Sequence, residues 1–365
     1  MNFCNISEVC GIILIVVVIG IYIANKTIIR SKKKQLIQGI RSGQTYLKNA
    51  NLKNVDLSKT KLRFANLKYS LLQNANLEYA NLEHAFLEYA NLSGAKLLHA
   101  NLNYANLENA NLKKANLYSA NLSGAYLQDA NLYKTKLKSA NLTGAKFDKT
   151  NLKRTNLENA NISKTNLQHS NFYKVNLNHA NLEYANLEYA NLNSANLKNA
   201  NLSHAKLLYT KLKKANLTGA KFKFAKFDYA FLNGANLKSV NLEFNYLENV
   251  NFTKANLYKA NLKGTKLENS NLKRANLSRA DLSSANLTAA NLSGAILQYA
   301  KFRSANLNKA NLSGAKLQYA DFSHSNLTAA NLSGTKLQYA NFLFTKGIPK
   351  WVKKNLDKNG VYKKF

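Results

Sequence analysis

Ala290-Asn291-Leu292-Ser293-Gly294-Ala295-Ile296-Leu297-Gln298-Tyr299 returns twenty residues later as Ala310-Asn311-Leu312-Ser313-Gly314-Ala315-Lys316-Leu317-Gln318-Tyr319. Twenty residues further on comes Ala330-Asn331-Leu332-Ser333-Gly334-Thr335-Lys336-Leu337-Gln338-Tyr339. Each line divides into phrases of five: a small residue, most often Asn, a large apolar residue and two variable ones. Outward from these lines the phrase holds without a slip. Every residue whose number ends in 2 or 7, from Leu47 to Phe342, is Leu, Ile or Phe, sixty in succession. Two positions before each stands Ala, Ser, Thr or Val, with Asn245 the single departure. A strict period of five fits neither the 3.6-residue spacing of a helix nor the alternation of a strand. It fits a chain that coils, each phrase forming one side of the coil. Twenty over five gives four sides per turn, and Thr45 to Phe344 gives 15 turns.

Phrases such as Ala90-Asn91-Leu92-Ser93-Gly94 resemble the pentapeptide-repeat family, whose pattern is A-(D/N)-L-X-X. The resemblance implies an all-β, right-handed, four-sided parallel β-helix in which the Leu and the small residue point inward. Packing physics leads to the same interior, because only small neighbours let four large side chains share a narrow square at core density. Each buried Leu or Phe contributes about 1.5–3 kcal/mol, and coils about 4.8 Å apart make a rod of roughly 70 Å. Asn245 at an interior position requires a local hydrogen-bond partner.

Four segments follow: 1–24, 25–44, 45–344 and 345–365. Residues 9–24 carry no charge and span about 24 Å as a helix, close to a hydrocarbon core. With no positive residue before the run and no small-x-small cleavage site after it, the expectation is an uncleaved transmembrane helix rather than a signal peptide. Lys26, Arg30, Lys32, Lys33 and Lys34 follow it. They place the rod on the cytoplasmic side and are candidates for contact with anionic lipid headgroups. Leu36, Ile37 and Ile40 suit a short helix covering the first coil. After Phe344 the phrase fails at Gly347. Gly347-Ile348-Pro349-Lys350-Trp351 predicts a turn into a short capping helix that ends before Gly360, with Trp351, Val352 and Leu356 on one face. Asp357-Lys358-Asn359-Gly360 lacks the rest of a calcium-ligand series and reads as a helix end.

The 365 residues carry a formal net charge of +34, with only 18 acids. Both cysteines, Cys4 and Cys10, precede or enter the apolar run, so no disulfide framework holds the rod. The six histidines each close a phrase, and no two share a side in adjacent coils. No metal site, cofactor loop, nucleophile elbow or other catalytic motif is expected. An enzyme is not expected.

Sorted by side, the charge is uneven. The sides beginning at Leu47, Leu57, Leu62 and Leu52 sum to 0, +7, +3 and +13. The Leu52 side has no Asp or Glu in any of its fifteen phrases. Its candidate anion-binding residues are Lys113, Lys114, Lys134, Lys153, Arg154, Lys174, Lys211, Lys213, Lys214, Lys273 and Arg274, with Lys53 and Lys254 on the same side. Two readings stand. In one, long basic side chains stand there only to keep a rod in solution, since like charges at coil spacing cost under about 1 kcal/mol per pair in water. Alternatively a linear anionic partner or surface lies along the side.

The best-known activity implied by the resemblance is DNA mimicry, in which an acidic rod fills the DNA site of a topoisomerase. The positive charge here argues against it, and fold does not carry function by itself. The leading expectation is a membrane-anchored, non-catalytic scaffold presenting its rod to partner proteins or lipid headgroups. The alternative is a sequence-nonspecific nucleic-acid-binding module held at the membrane.

Overall fold

The structure, a computed structural model, describes the backbone of residues 6–363 and the side chains of residues 16–363. It consists of helix α1 (Ile6–Arg41), a four-sided solenoid over residues 45–346, and a short helix α2 (Lys350–Lys353). Parallel bridges join the second residue of each phrase to its equivalent twenty positions on, from Tyr46↔Asn66 to Asn326↔Lys346, with no change of register. One lap is therefore twenty residues throughout. All the large apolar residues at numbers ending in 2 or 7 are buried, and nearly all the small ones beside them.

One phrase shows why the residue types recur. The Leu107 N–H donates to the Tyr126 carbonyl of the next coil at 2.7 Å, and Asn109 N–H to the Gln128 carbonyl at 3.0 Å. Asn106 N–H donates back to the Ala85 carbonyl at 2.9 Å, and Ala105 N–H closes a turn onto Leu102 at 3.0 Å. The fifth donor, Glu108 N–H, faces no carbonyl. It is taken by the Asn106 side chain, whose Oδ1 accepts it at 3.0 Å. Asn is thus the residue that completes the accounting for every backbone N–H. Its amide also links coils, as in Asn101 to Asn81 at 3.2 Å, Asn121 to Asn101 at 3.4 Å and Asn141 to Asn121 at 3.2 Å.

The last residue of every phrase, from Asn49 to Phe344, has a positive φ, between 52° and 61° where it is not Gly. With the N–H of the next residue returned to the Leu carbonyl, this is a type II turn. A β-branched residue would be strained there, and no Val, Ile or Thr occupies the position.

Among the described residues six contiguous inter-coil backbone bonds are loosened, although the pairings Lys221↔Asn241 and Lys226↔Tyr246 stay in register. The N–H groups of Gly219, Phe222, Phe224 and Phe227 on one coil, and of Asn241 and Tyr246 on the next, lack the close ladder bonds that their equivalents make elsewhere. The cause lies in volume. Phe222 and Phe227 occupy adjacent sides of one lap, edge-on at 5.0 Å, where other laps hold at most one Phe. Asn245, 3% exposed, stands above Ala225 where the pattern wants a small side chain. Its amide makes only a long bond to the Glu243 carbonyl at 3.4 Å, and its Oδ1 has no partner. Overfilling one lap and putting a larger polar residue over it parts the two coils. The hydrogen-bond partner expected for Asn245 is therefore only half supplied.

Both ends are covered. Ile40 is buried, and Leu36 and Ile37 pack on the same core. At the other end Val352 is buried, and Val361 and Tyr362 pair antiparallel with Asn341 and Leu356. The final segment thus supplies backbone partners to the last coil: Tyr362 accepts from Tyr339 N–H at 3.0 Å and donates to Ala340 at 3.0 Å. The capping helix is shorter than expected, four residues, because Asp357 diverts the chain into a turn. Its Oδ1 accepts from Asn359 N–H at 2.9 Å and Val361 N–H at 2.8 Å. Trp351 is 43% exposed and takes no part in the cap's interior.

The transmembrane helix expected over residues 9–24 is not supported, nor is the single-pass, cytoplasm-facing placement built on it. Among the described residues, no helix is long and apolar enough to cross a membrane. α1 is apolar through residues 16–24. The helix then continues unbroken through Lys26, Arg30 and Lys32 to Arg41, where its end packs on the rod. The side chains of residues 9–15, with Cys4 and Cys10, lie outside the described residues.

Candidate anion-binding face

The twenty-residue lap stacks Lys114, Lys134, Arg154 and Lys174 in one column, each at the positive-φ corner of its phrase and each exposed. Bridges Asn111↔Asn131, Asn131↔Asn151 and Asn151↔Asn171 hold that column in register. Lys113 is exposed and Lys153 half-buried in the neighbouring column. Tyr133 and Tyr173 fill that neighbouring column in alternate coils. Lys113 and Lys134 place their ammonium groups 5.9 and 5.3 Å from the Tyr133 ring, and Lys153 and Lys174 stand 5.4 and 5.3 Å from Tyr173. Each ring draws cations from two coils to its face. Desolvation pushes the Tyr133 phenol up, but Lys134 and Arg154 outweigh it and hold the group below its ordinary value. Positive potential has accumulated on this face.

Elsewhere on the rod, opposite charges one lap apart pair off. Lys68 meets Glu88 at 2.8 Å, and Lys138 meets Glu158 at 3.1 Å. The Glu88 carboxylate, by its hydrogen bond, raises the Lys68 pKa. Among the described residues no salt bridge involves the Leu52 side. Its cations have no acid within reach.

The predicted residues do not form one unbroken strip. The coil at 190–194 contributes Asn193 and Ser194 instead of cations. Lys211, Lys213 and Lys214 follow as an exposed cluster, with Lys213 N–H held by Asn193 Oδ1 at 2.8 Å. Lys273 and Arg274 are exposed three coils later, and Gly294, Gly314 and Gly334 end the column without charge. The two tyrosines were missed by sorting charge alone. The signal was present as Tyr133-Lys134 and Tyr173-Lys174, two laps apart.

The residues proposed for headgroup contact lie along α1. Lys26 stands 5.6 Å from the Tyr22 ring, and Lys33 donates to the Lys53 carbonyl at 2.5 Å, tying the helix to the first coil. Arg30, Lys32 and Lys34 are exposed.

Five of the histidines are members of aromatic stacks. His84 lies between Phe64 and Tyr104 at 5.1 and 5.2 Å, and His169 stacks on Tyr189 at 5.1 Å. His99, His204 and His324 stand in similar ladders, while His179 meets the Asn199 amide at 3.3 Å. Among the described residues no group of three His, Cys, Asp or Glu could hold a metal ion.

No curated protein matches the chain. Among solved structures, HetL, a pentapeptide-repeat protein involved in heterocyst differentiation regulation in the cyanobacterium Nostoc sp. strain PCC 7120, is 26% identical over 85% of this chain and 95% of its own, with a TM-score of 0.19. Rfr23, a pentapeptide-repeat protein of the cyanobacterium Cyanothece 51142, is 28% identical over 32% of this chain and 91% of its own, with a TM-score of 0.22. QnrB1, a plasmid-mediated fluoroquinolone resistance protein, is 16% identical over 59% and 84%, with a TM-score of 0.27. Such scores carry no argument about shape or role. The family model shows the family. Pentapeptide repeats (8 copies) matches a series of windows from 43–78 to 305–342, taking in nearly the whole rod. With the five-residue phrase, the twenty-residue lap and the leucine-filled interior already in view, the chain belongs to the pentapeptide-repeat family.

Proposed function

We propose that the protein is a non-catalytic scaffold whose Leu52 side docks an anionic partner, in the first place an acidic protein surface. The observation behind this reading is the column Lys114, Lys134, Arg154 and Lys174, exposed, in register and free of acids on its own side. Such a column raises the local concentration of a linear anion and speeds encounter. Nucleic acid is the second reading, favoured by Tyr133 and Tyr173 set among those cations, an arrangement that suits phosphates beside stacked rings.

Replacing the four column residues together (Lys114→Glu, Lys134→Glu, Arg154→Glu and Lys174→Glu) tests both. Affinity for an acidic probe such as heparin or duplex DNA in low salt is expected to fall by at least tenfold, with the fold retained by circular dichroism. Equal binding by wild type and variant would remove the proposal. A steep loss of DNA binding with added salt, with no acidic protein captured, would transfer the role to nucleic acid.

A further inference from the structure

The parted coils enclose a cleft of about 570 Å³. It opens mainly on the Leu62 side, across the rod from the basic column, and so stands apart from the proposed docking face. Ala220, Phe222 and Val240 line it as buried apolar surface. Asn245 lines it too, 3% exposed and with Oδ1 unpaired. Phe224 and Phe244 stand at its mouth, 65% and 66% exposed. They occupy corners one lap apart, where Tyr299 and Tyr319 elsewhere stack at 4.8 Å. Phe224 and Phe244 make no such pair.

The walls carry unused polar groups as well. The Phe222, Phe224 and Asn241 N–H groups and the carbonyls of Ala220 and Asn241 make no close ladder bond, and the Glu243 carbonyl accepts only the long bond from the Asn245 amide. Lys221 and Lys223 are exposed at the rim. The one carboxylate there, Glu243, accepts from the Asn261 amide at 3.3 Å.

A slot of this size falls within the range of small-molecule sites. Its accessible aromatic surface, supplied by Phe224 and Phe244 at the mouth, suits the faces of a flat ring, which pack on phenylalanine. Its open backbone edges suit a ring edge carrying both donors and acceptors, and an unmade buried hydrogen bond is costly enough that a ligand making it is favoured. Two lysines at the rim suit an anionic substituent. The geometry points to a binding site for a planar heteroaromatic acid between the coils at 219–227 and 238–246.

The probe is 1-anilinonaphthalene-8-sulfonate, which combines a flat aromatic system, an N–H and an anionic group and fluoresces on apolar surface. Titrated into the full chain, it is expected to show one saturable site by fluorescence and calorimetry. The double variant Phe222→Leu with Asn245→Ala restores the residue types that the other coils carry, and should close the slot. Its affinity is expected to be at least tenfold weaker, with the fold unchanged or more stable. Phe244→Ser keeps the coils parted and removes one lip, for a loss of several-fold. The four-residue charge reversal on the Leu52 side is expected to leave this affinity unaltered. Undiminished binding by the double variant, or loss of binding by the charge reversal instead, would overturn the assignment.

Discussion

Four laps separate the faulted coil pair from its sound counterpart. At residues 299–326 the N–H groups of Tyr299, Phe302, Ser304, Leu307, Asp321 and Asn326 all reach their ladder carbonyls, at 2.7–3.1 Å. The same six positions eighty residues earlier make no such close bond, although the coils stay paired in register. In the sound region Phe302, Phe322 and Phe342 stack inside the rod at 4.8 and 5.2 Å, one ring per lap on one side. In the faulted region two rings share a single lap. The contrast separates two properties of a solenoid. Period sets which residues lie above one another, whereas volume sets whether the coils meet. Because each coil touches only its neighbours, the fault is confined to one interface, and full bonding resumes at Leu242 and Leu247 above it.

Amide hydrogen exchange gives the largest expected contrast. Gly219, Phe222, Phe224, Phe227, Asn241 and Tyr246 should exchange at least tenfold faster than their equivalents eighty residues on, since only the latter must break a close ladder bond to open. Matched protection in the two sets would abolish the comparison. Asn245→Ala should sharpen it by repair. Removing a buried acceptor with no partner is worth about 1–3 kcal/mol, so the urea midpoint should rise, and a lowered midpoint would mean that the Asn245 amide holds the coils rather than parts them.

The smallest effect concerns Asp228, beside the fault. Burial, with Glu248 one lap above as a lesser contributor, raises its pKa in the folded chain. The folded state therefore binds the proton more tightly than the unfolded state does. Any stability this gives is present below the ordinary carboxylate range and is lost as pH rises through the folded value. Asp228→Asn should thus gain slightly over wild type at pH 7 and not in acid, compared by urea midpoint at the two pH values. A gain of equal size at both would assign the effect to packing.

Much of this architecture was legible in the chain. The apolar column at numbers ending in 2 and 7 gave the interior, and the lines ending at Tyr299, Tyr319 and Tyr339 gave the lap, because stacking repeats what the sequence repeats. The stacked charges followed directly. The fault was half legible: Asn245 stood out as an interior polar residue, but its effect depends on Phe222 and Phe227 lying beneath it, a sum of volumes that no periodic pattern displays. The positive-φ corners carried a signal of their own in the absence of Val, Ile and Thr. At the N-terminus the run of apolar residues was misleading, because its composition was judged up to Ala24 while the helix runs on to Arg41 and ends against the rod.

The twenty-residue lap has a bearing on how such a chain can change in length. Excising one whole lap would lower the tower by a single storey and leave every later residue above its old neighbours. Excising one phrase of five would turn everything beyond the cut by a quarter of a revolution. Leucines would still meet leucines, but the lysines past the junction would face a different compass point. Growth by whole laps conserves the surface, and growth by single phrases rewrites it.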